Sequence, residues 1–234
     1  MTNWLTFGGV RGPRSIKPFG PGALLLEWEQ RIDPGIHRGV LSYAAALRHL
    51  PGFVECVPAY ASLLVRFSGD AATLRERLYE LKVPELDETE GSLHRLPVCY
   101  GGEYGPDLSA VARTTGLTED QVIELHAGVP YRVYLFGYRP GFAFLGTLDE
   151  RLTVARHRSP RPSVAPGSVG LAGRQTGVYP VTAPGGWQLI GHCPLQLIDN
   201  TGRTRFAVGD RVAFYPIGPA EVEKLKQADT WPDE

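Results

Sequence analysis

Apolar positions along the first third of the chain change their spacing twice, and each change predicts an element. Ala23 to Trp28 is a nearly continuous apolar run and reads as a strand. Ile36, Val40, Tyr43, Ala44, Leu47 and Leu50 then recur at steps of three and four, which predicts an amphipathic helix with one buried face. Asp33 supplies its cap, Pro34 its first position and Pro51-Gly52 its stop. Phe53 to Val57 and Ser62 to Phe67 predict two strands joined by a short turn. Leu74, Leu78 and Leu81 mark a second helix, which must end before Pro84 because the residue ahead of a proline is pushed out of helical geometry. Leu93 to Cys99 predicts a further strand, either closing this sheet or leading out of it.

The order strand, helix, strand, strand, helix, strand is the split βαβ arrangement of ferredoxin-like domains, with two helices on one face of an antiparallel sheet. The acidic stretch Glu85 to Glu90 has little to bury and reads as a linker. The expected organisation is a ferredoxin-like domain over 1–92 and a second domain over 93–234.

Beyond residue 93 the texture changes. Leu108, Val111 and Ala112 suggest a short helix that Gly116 stops, and Thr118 with Gln121 forms a capping box for the next. From Tyr131 to Ile217 the apolar pieces Tyr131 to Phe136, Val169 to Ala172, Trp187 to Ile190 and Arg211 to Tyr215 are separated by Gly and Pro. Many short strands so punctuated predict a closed or nearly closed barrel, which also removes exposed sheet edges. The fold class is therefore α+β.

Charge narrows the partners. Lys+Arg 24 against Asp+Glu 25 leaves no positive surplus for a phosphate backbone or an anionic membrane, so neither nucleic acid nor membrane is expected. No apolar run approaches the ~20 residues of a membrane span. Met1 to Trp4 lacks a basic segment followed by an apolar one, so a cytoplasmic location is expected. Cys56, Cys99 and Cys193 are odd in number and widely spaced, and read as small core residues. The six histidines show no metal-ligand spacing, so no metal site is expected, and His192 alone is kept as an acid or base.

The densest unusual chemistry lies between 164 and 191, where seven glycines fall between 167 and 191. Within it Gln175 and Thr176 are flanked by Gly173 and Gly177, and an amide beside a hydroxyl could orient a small polar ligand. Tyr179 and Trp187 could form an apolar wall, although aromatics in a β-rich domain more often serve the core. In Phe136 to Gly146 aromatics alternate with turn formers. Arg139 is its charged member and could bind a carboxylate or phosphate, and Phe142 could line a groove. Arg151, Arg156, Arg158 and Arg161 with His157 make a basic loop expected to be solvated. No Gly-Lys-Ser/Thr follows a glycine loop, so an ordinary nucleotide P-loop is absent, and Gly167-Ser168-Val169-Gly170 makes a poor nucleophile elbow.

Four segments in order carry a resemblance: Pro97-Val98-Cys99-Tyr100-Gly101-Gly102-Glu103-Tyr104-Gly105-Pro106-Asp107-Leu108, Pro140-Gly141-Phe142, Gly173 through Pro180, and Pro184 through Gly191. Together they resemble the family of 5-oxoprolinase B-type subunits, also described as sporulation-kinase inhibitors or as the first subunit of allophanate hydrolase. The resemblance implies a ferredoxin-like first domain and a cyclophilin-like β-barrel second domain. It further implies a hydrolase subunit, inactive alone, that acts with two partners, the A-type and C-type subunits, in ATP-dependent opening of 5-oxo-L-proline to L-glutamate. ATP would serve the assembled complex without binding tightly to this chain. On this reading Gln175, Thr176, Tyr179, Phe142, Trp187, Gly173 and Gly177 bind the cyclic amide, while Arg139 and His192 act on it. The resemblance leaves two alternatives: an inhibitor of a sensor histidine kinase that holds a partner segment in its aromatic groove, and the carboxyltransferase part of a urea carboxylase or allophanate hydrolase system, with biotin on another chain.

Overall fold

The computed structural model describes residues 6–7, 10–69, 71–86, 91–199 and 201–228. Met1 to Trp4, and residues 87–90 of the acidic stretch, lie outside the described residues. The chain divides into two compact units, 1–90 and 91–234.

In the first unit a short pair, β1 (Thr6–Phe7) and β2 (Val10–Arg11), precedes β3 (Ser15–Pro18) and β4 (Ala23–Glu27). α1 (Pro34–Leu47), β5 (Phe53–Pro58), β6 (Ser62–Phe67) and α2 (Ala71–Tyr79) follow. The Asp33 side chain accepts a hydrogen bond from Ile36 N at 2.9 Å, which satisfies one of the orphan amides that open α1. The apolar face of α1 puts Ile36, Val40, Tyr43 and Leu47 into one core with Leu24, Leu26, Leu63 and Val65 of the sheet, joined by Leu74 and Leu78 of α2. Each such fully buried aliphatic side chain contributes roughly 1.5–3 kcal/mol.

The four strands are antiparallel in the order β3-β4-β6-β5. The strand beginning at Leu93 leads out of this sheet and joins the barrel of the second unit, while β3 occupies the edge beside β4. The four-stranded sheet thus takes its last member from before the first helix and not from after the second. Local pattern offers little sign of β3, which is four residues long, carries one large apolar side chain, Ile16, and ends in a proline. Cys56 is half-buried because β5 is an edge strand, whereas Cys99 and Cys193 are buried.

The second unit opens with β7 (Leu93–Tyr100), α3 (Leu108–Thr115) and α4 (Glu119–Ala127). Gly116 ends α3 with φ 71°, and the Thr118–Gln121 capping box starts α4. Next come β8 (Tyr131–Phe136), β9 (Ala143–Gly146), a 3-10 turn at Glu150–Leu152, β10 (Arg161–Val164), β11 (Ser168–Ala172) and β12 (Gln175–Val178). β13 (Ala183–Gly185), β14 (Gln188–His192), β15 (Arg211–Pro216) and α5 (Pro219–Ala228) complete the unit. Seven strands close a barrel in the order β11-β12-β9-β8-β15-β7-β14, and β14 pairs back onto β11. β15 and β7 run parallel and the other pairs antiparallel. Leu96, Val98, Val133, Leu145, Val169, Leu171, Ile190 and Val212 fill the interior, so the barrel is a packed core and not a hollow. β10 and β13 form a separate two-stranded pair. Among the described residues no helix is long and apolar enough to cross a membrane.

Candidate functional site

Successive side chains of a strand point to opposite faces, and this alternation sorts the glycine-rich segment. On β12, Thr176 and Val178 face inward: Val178 belongs to the barrel core, and Thr176 is fully buried against His126 of α4. Gly177 faces outward, where an added Cβ would lie 2.9 Å from Ala143 O, 3.3 Å from Phe142 and 3.4 Å from Trp187. Outside this part of the wall sits a second apolar cluster of Phe142, Val164, Ala172, Tyr179, Ala183, Trp187 and Leu189. Replacing Gly177 by alanine is expected to cost about 1–2 kcal/mol, chiefly by pressing on the Ala143 carbonyl and then on these rings. Thermal unfolding checks this, and an unchanged midpoint would contradict it.

That outer cluster lines a recess of about 420 Å³ whose walls are Tyr138, Phe142, Phe144, Tyr179 and Trp187 with Pro160, Pro184, Gly185 and Gly186. The rings meet edge to face: Phe142 lies 5.2 Å from Tyr179 and 5.3 Å from Trp187, and Tyr138 lies 5.6 Å from Phe142. The Tyr138 hydroxyl donates to Pro184 O, and Tyr138 holds φ 67°, a conformation rare outside glycine that this tie maintains. Gly185 is required where the Tyr179 hydroxyl comes closest, since a Cβ there would fall 2.3 Å from it. Burial pushes the Tyr179 phenol above its usual pKa.

Two cations complete the recess. Arg139 lies 5.8 Å from the Tyr138 ring centroid and Arg156 5.9 Å from that of Trp187. Both are exposed, and among the described residues neither pairs with a carboxylate. An aromatic pocket with two unneutralised guanidiniums suits a compact ligand that carries an anionic group.

Of the residues singled out in the sequence, Arg139, Phe142, Tyr179 and Trp187 therefore come together, with Gly177 beneath their rings. Gly173 turns the tip of the β11–β12 hairpin at φ 57° and is exposed, and Gln175 is half-buried at the start of β12. Thr176 Oγ1 donates to Gly170 O at 3.1 Å, so it accepts from His126 Nε2–H at 2.8 Å, which leaves His126 Nδ1 to accept from the Tyr100 hydroxyl at 2.8 Å. This chain of bonds fixes the neutral tautomer of a ring that stacks 4.6 Å from Phe214, and burial lowers its pKa to about 3. His192 stands on β14 beside Tyr104, 6.0 Å between centroids, and its pKa is lowered by burial and then by Lys226.

The basic loop is more than a solvated face. Arg156 lines the recess, while His157 and Arg161 reach Asp107 at the start of α3, with Nε2 to Oδ2 at 3.2 Å and Nη2 to Oδ1 at 2.7 Å. Burial alone would raise the Asp107 pKa, but the bonds from Arg161, Leu189 N and His157 outweigh it and hold the carboxyl below its usual range. His94 similarly meets Asp210 at 2.9 Å. Both partners are about fifty or more positions away in sequence, which is why spacing did not disclose them. A larger groove of about 710 Å³ lies in the first unit between α1 and residues 77–84. Its polar side chains His49, Arg77, Glu80 and Lys82 are all exposed, and no Phe, Tyr or Trp lines it, so the recess is the better candidate.

Residues 14–208 match the family described as carboxyltransferase domain, subdomain C and D. The B-type 5-oxoprolinase subunit of Bacillus subtilis (strain 168) is 38% identical over 234 residues, covering 91% of this chain and 96% of the relative. The B-type 5-oxoprolinase subunit of Escherichia coli O157:H7 is 40% identical over 205 residues, covering 84% and 93%. The solved urea amidolyase of Kluyveromyces lactis aligns with 92% of this chain at a TM-score of 0.71, although that alignment spans only 15% of the longer protein. At 19% identity it shows a shared fold and nothing more. The chain belongs to the family of 5-oxoprolinase B-type subunits.

Proposed function

We propose that this chain is a non-autonomous subunit of an ATP-dependent 5-oxoprolinase, and that its recess holds 5-oxo-L-proline while partner subunits complete the site. The observation that carries this reading is the pair of guanidiniums, Arg139 and Arg156, at a recess walled by aromatic rings. The lactam's carboxylate pairs with them, and its methylene edge packs on Phe142 and Trp187. Held in this way, the ring presents its amide carbonyl for activation by phosphate from ATP and attack by water, so the chain's contribution is orientation. The sequence carries no ordinary nucleotide P-loop, which agrees with ATP being handled by a partner. With this role go a cyclophilin-like barrel and a ferredoxin-related first unit, two partner subunits, and no turnover by the chain alone.

A carboxyltransferase role is the second reading, favoured by the family description. One experiment separates the two: mix the chain with candidate partner subunits and measure 5-oxoproline-dependent ADP release, omitting each subunit in turn. Release only from the complete mixture supports the proposal. Release that persists without this chain, or biotin-dependent carboxyl transfer in place of release, overturns it.

A further inference from the structure

Two features of the sequence without an assigned task, the Gly105-Pro106-Asp107 turn and the basic loop, meet behind the recess. Asp107 is buried and its carboxylate takes three donors from separate segments: Arg161 Nη2 at 2.7 Å, His157 Nε2 at 3.2 Å and Leu189 N at 2.7 Å. Its own amide donates to Leu189 O at 2.9 Å. On the other side of the loop, His157 N donates to Gly186 O at 2.7 Å, and Gln188 Nε2 to Ala155 O at 2.9 Å. Arg156, the recess cation, is thus held between two anchored neighbours. Arg161 Nη1 is closed to solvent without a partner among the described residues, so Asp107 is the charge that keeps this guanidinium in place. Without it a half-buried guanidinium stands uncompensated with one nitrogen closed to solvent, and the segment must move to rehydrate it.

We propose that Asp107 is a positioning residue for the recess: through His157 and Arg161 it fixes the 155–161 loop so that Arg156 and Trp187 face a bound anion together. The proposal rests on the reading of the recess as a ligand site. Two readouts test it in Asp107→Asn, with Asp107→Glu as the conservative variant. The first is trypsin cleavage after Arg156 and Arg158 in the folded chain, followed by mass spectrometry. We expect about a tenfold faster nick in Asp107→Asn and partial rescue in Asp107→Glu, as for release of a locally ordered segment. The second is turnover by the reconstituted assembly. The KM for 5-oxo-L-proline should rise about tenfold while kcat stays within about twofold, because orientation of the anion is lost and the chemistry is not.

If Asp107→Asn does not fold, Arg161→Gln and His157→Gln remove the donors singly and carry the same expectations at smaller size. Faster nicking with an unchanged KM would reduce Asp107 to a structural residue and overturn the proposal, as would wild-type behaviour in both readouts. An assembly with the wild-type chain that turns over no 5-oxo-L-proline would overturn the proposed function instead, and the nicking rate would still decide whether Asp107 holds the loop.

Discussion

Removing both recess cations, by Arg139→Ala together with Arg156→Ala, is expected to raise the KM for 5-oxo-L-proline about a hundredfold in the reconstituted assembly while leaving kcat nearly unchanged. A hydrogen bond to a charged group contributes about 1.5–3 kcal/mol. Both guanidiniums are exposed at the rim, so the lower end applies to each, and two such losses amount to roughly two factors of ten. Each single variant should show about a tenfold effect, and lysine should restore only part of it, since an ammonium lacks the planar fork that meets both carboxylate oxygens. Neither arginine pairs with a carboxylate among the described residues, so stability should stay within about 0.5 kcal/mol of wild type. Steady-state kinetics with a parallel thermal melt checks the prediction. A loss of kcat at unchanged KM would contradict the placement of the anion.

The second large effect concerns acid and the buried histidine. His126 is neutral in the folded protein, with its pKa lowered from 6.5 to about 3 by burial. Between those values the unfolded chain binds a proton that the folded one does not, so stability rises with pH across that window and falls on acidification. The slope from one such group is about 1.4 kcal/mol per pH unit. Acidifying from neutrality to about pH 4 should therefore cost about 3 kcal/mol through His126. His192, its pKa lowered in the same direction, adds to the same window. Asp107 acts elsewhere. Its folded pKa lies below the carboxylate range, so its contribution is present above about pH 4 and is lost only as pH falls further. Urea unfolding at several pH values, compared with His126→Gln, checks the assignment: the variant should lose about one proton's worth of slope between about pH 6.5 and 4. Equal slopes in the two proteins would show that another group titrates there.

The elements that the sequence disclosed are those whose signals are local. α1 was legible because Asp33, Pro34 and six apolar positions agree over one segment, and α3 and α4 because Gly116, Thr118 and Gln121 sit at their ends. The barrel was legible from its turn-separated apolar pieces, but β9 and β12 were not, since Gly146 and Gly177 dilute their alternation. α5 was missed because, among its described side chains, Val222 and Leu225 are the only strongly apolar inward positions. Gln175 and Thr176 look like a pair in one dimension. On a strand they face opposite sides, so Thr176 serves the His126 network while the recess forms on the other face. The aromatic walls could be named from Phe142, Tyr179 and Trp187. Arg156, and the Asp107 contacts behind it, depend on chain separations of about fifty residues that no local pattern encodes.

Contact between 5-oxo-L-proline and Trp187 in the assembled complex is what every kinetic expectation above depends on. Fluorine NMR of that complex, with 5-fluorotryptophan in this chain and Trp187→Phe to identify the signal, observes the contact itself. The Trp187 resonance should move saturably as 5-oxo-L-proline is added, and in the Arg139→Ala, Arg156→Ala variant the same movement should need about a hundredfold more substrate. A Trp187 signal unmoved at substrate concentrations that sustain turnover would contradict the placement of the lactam in the recess.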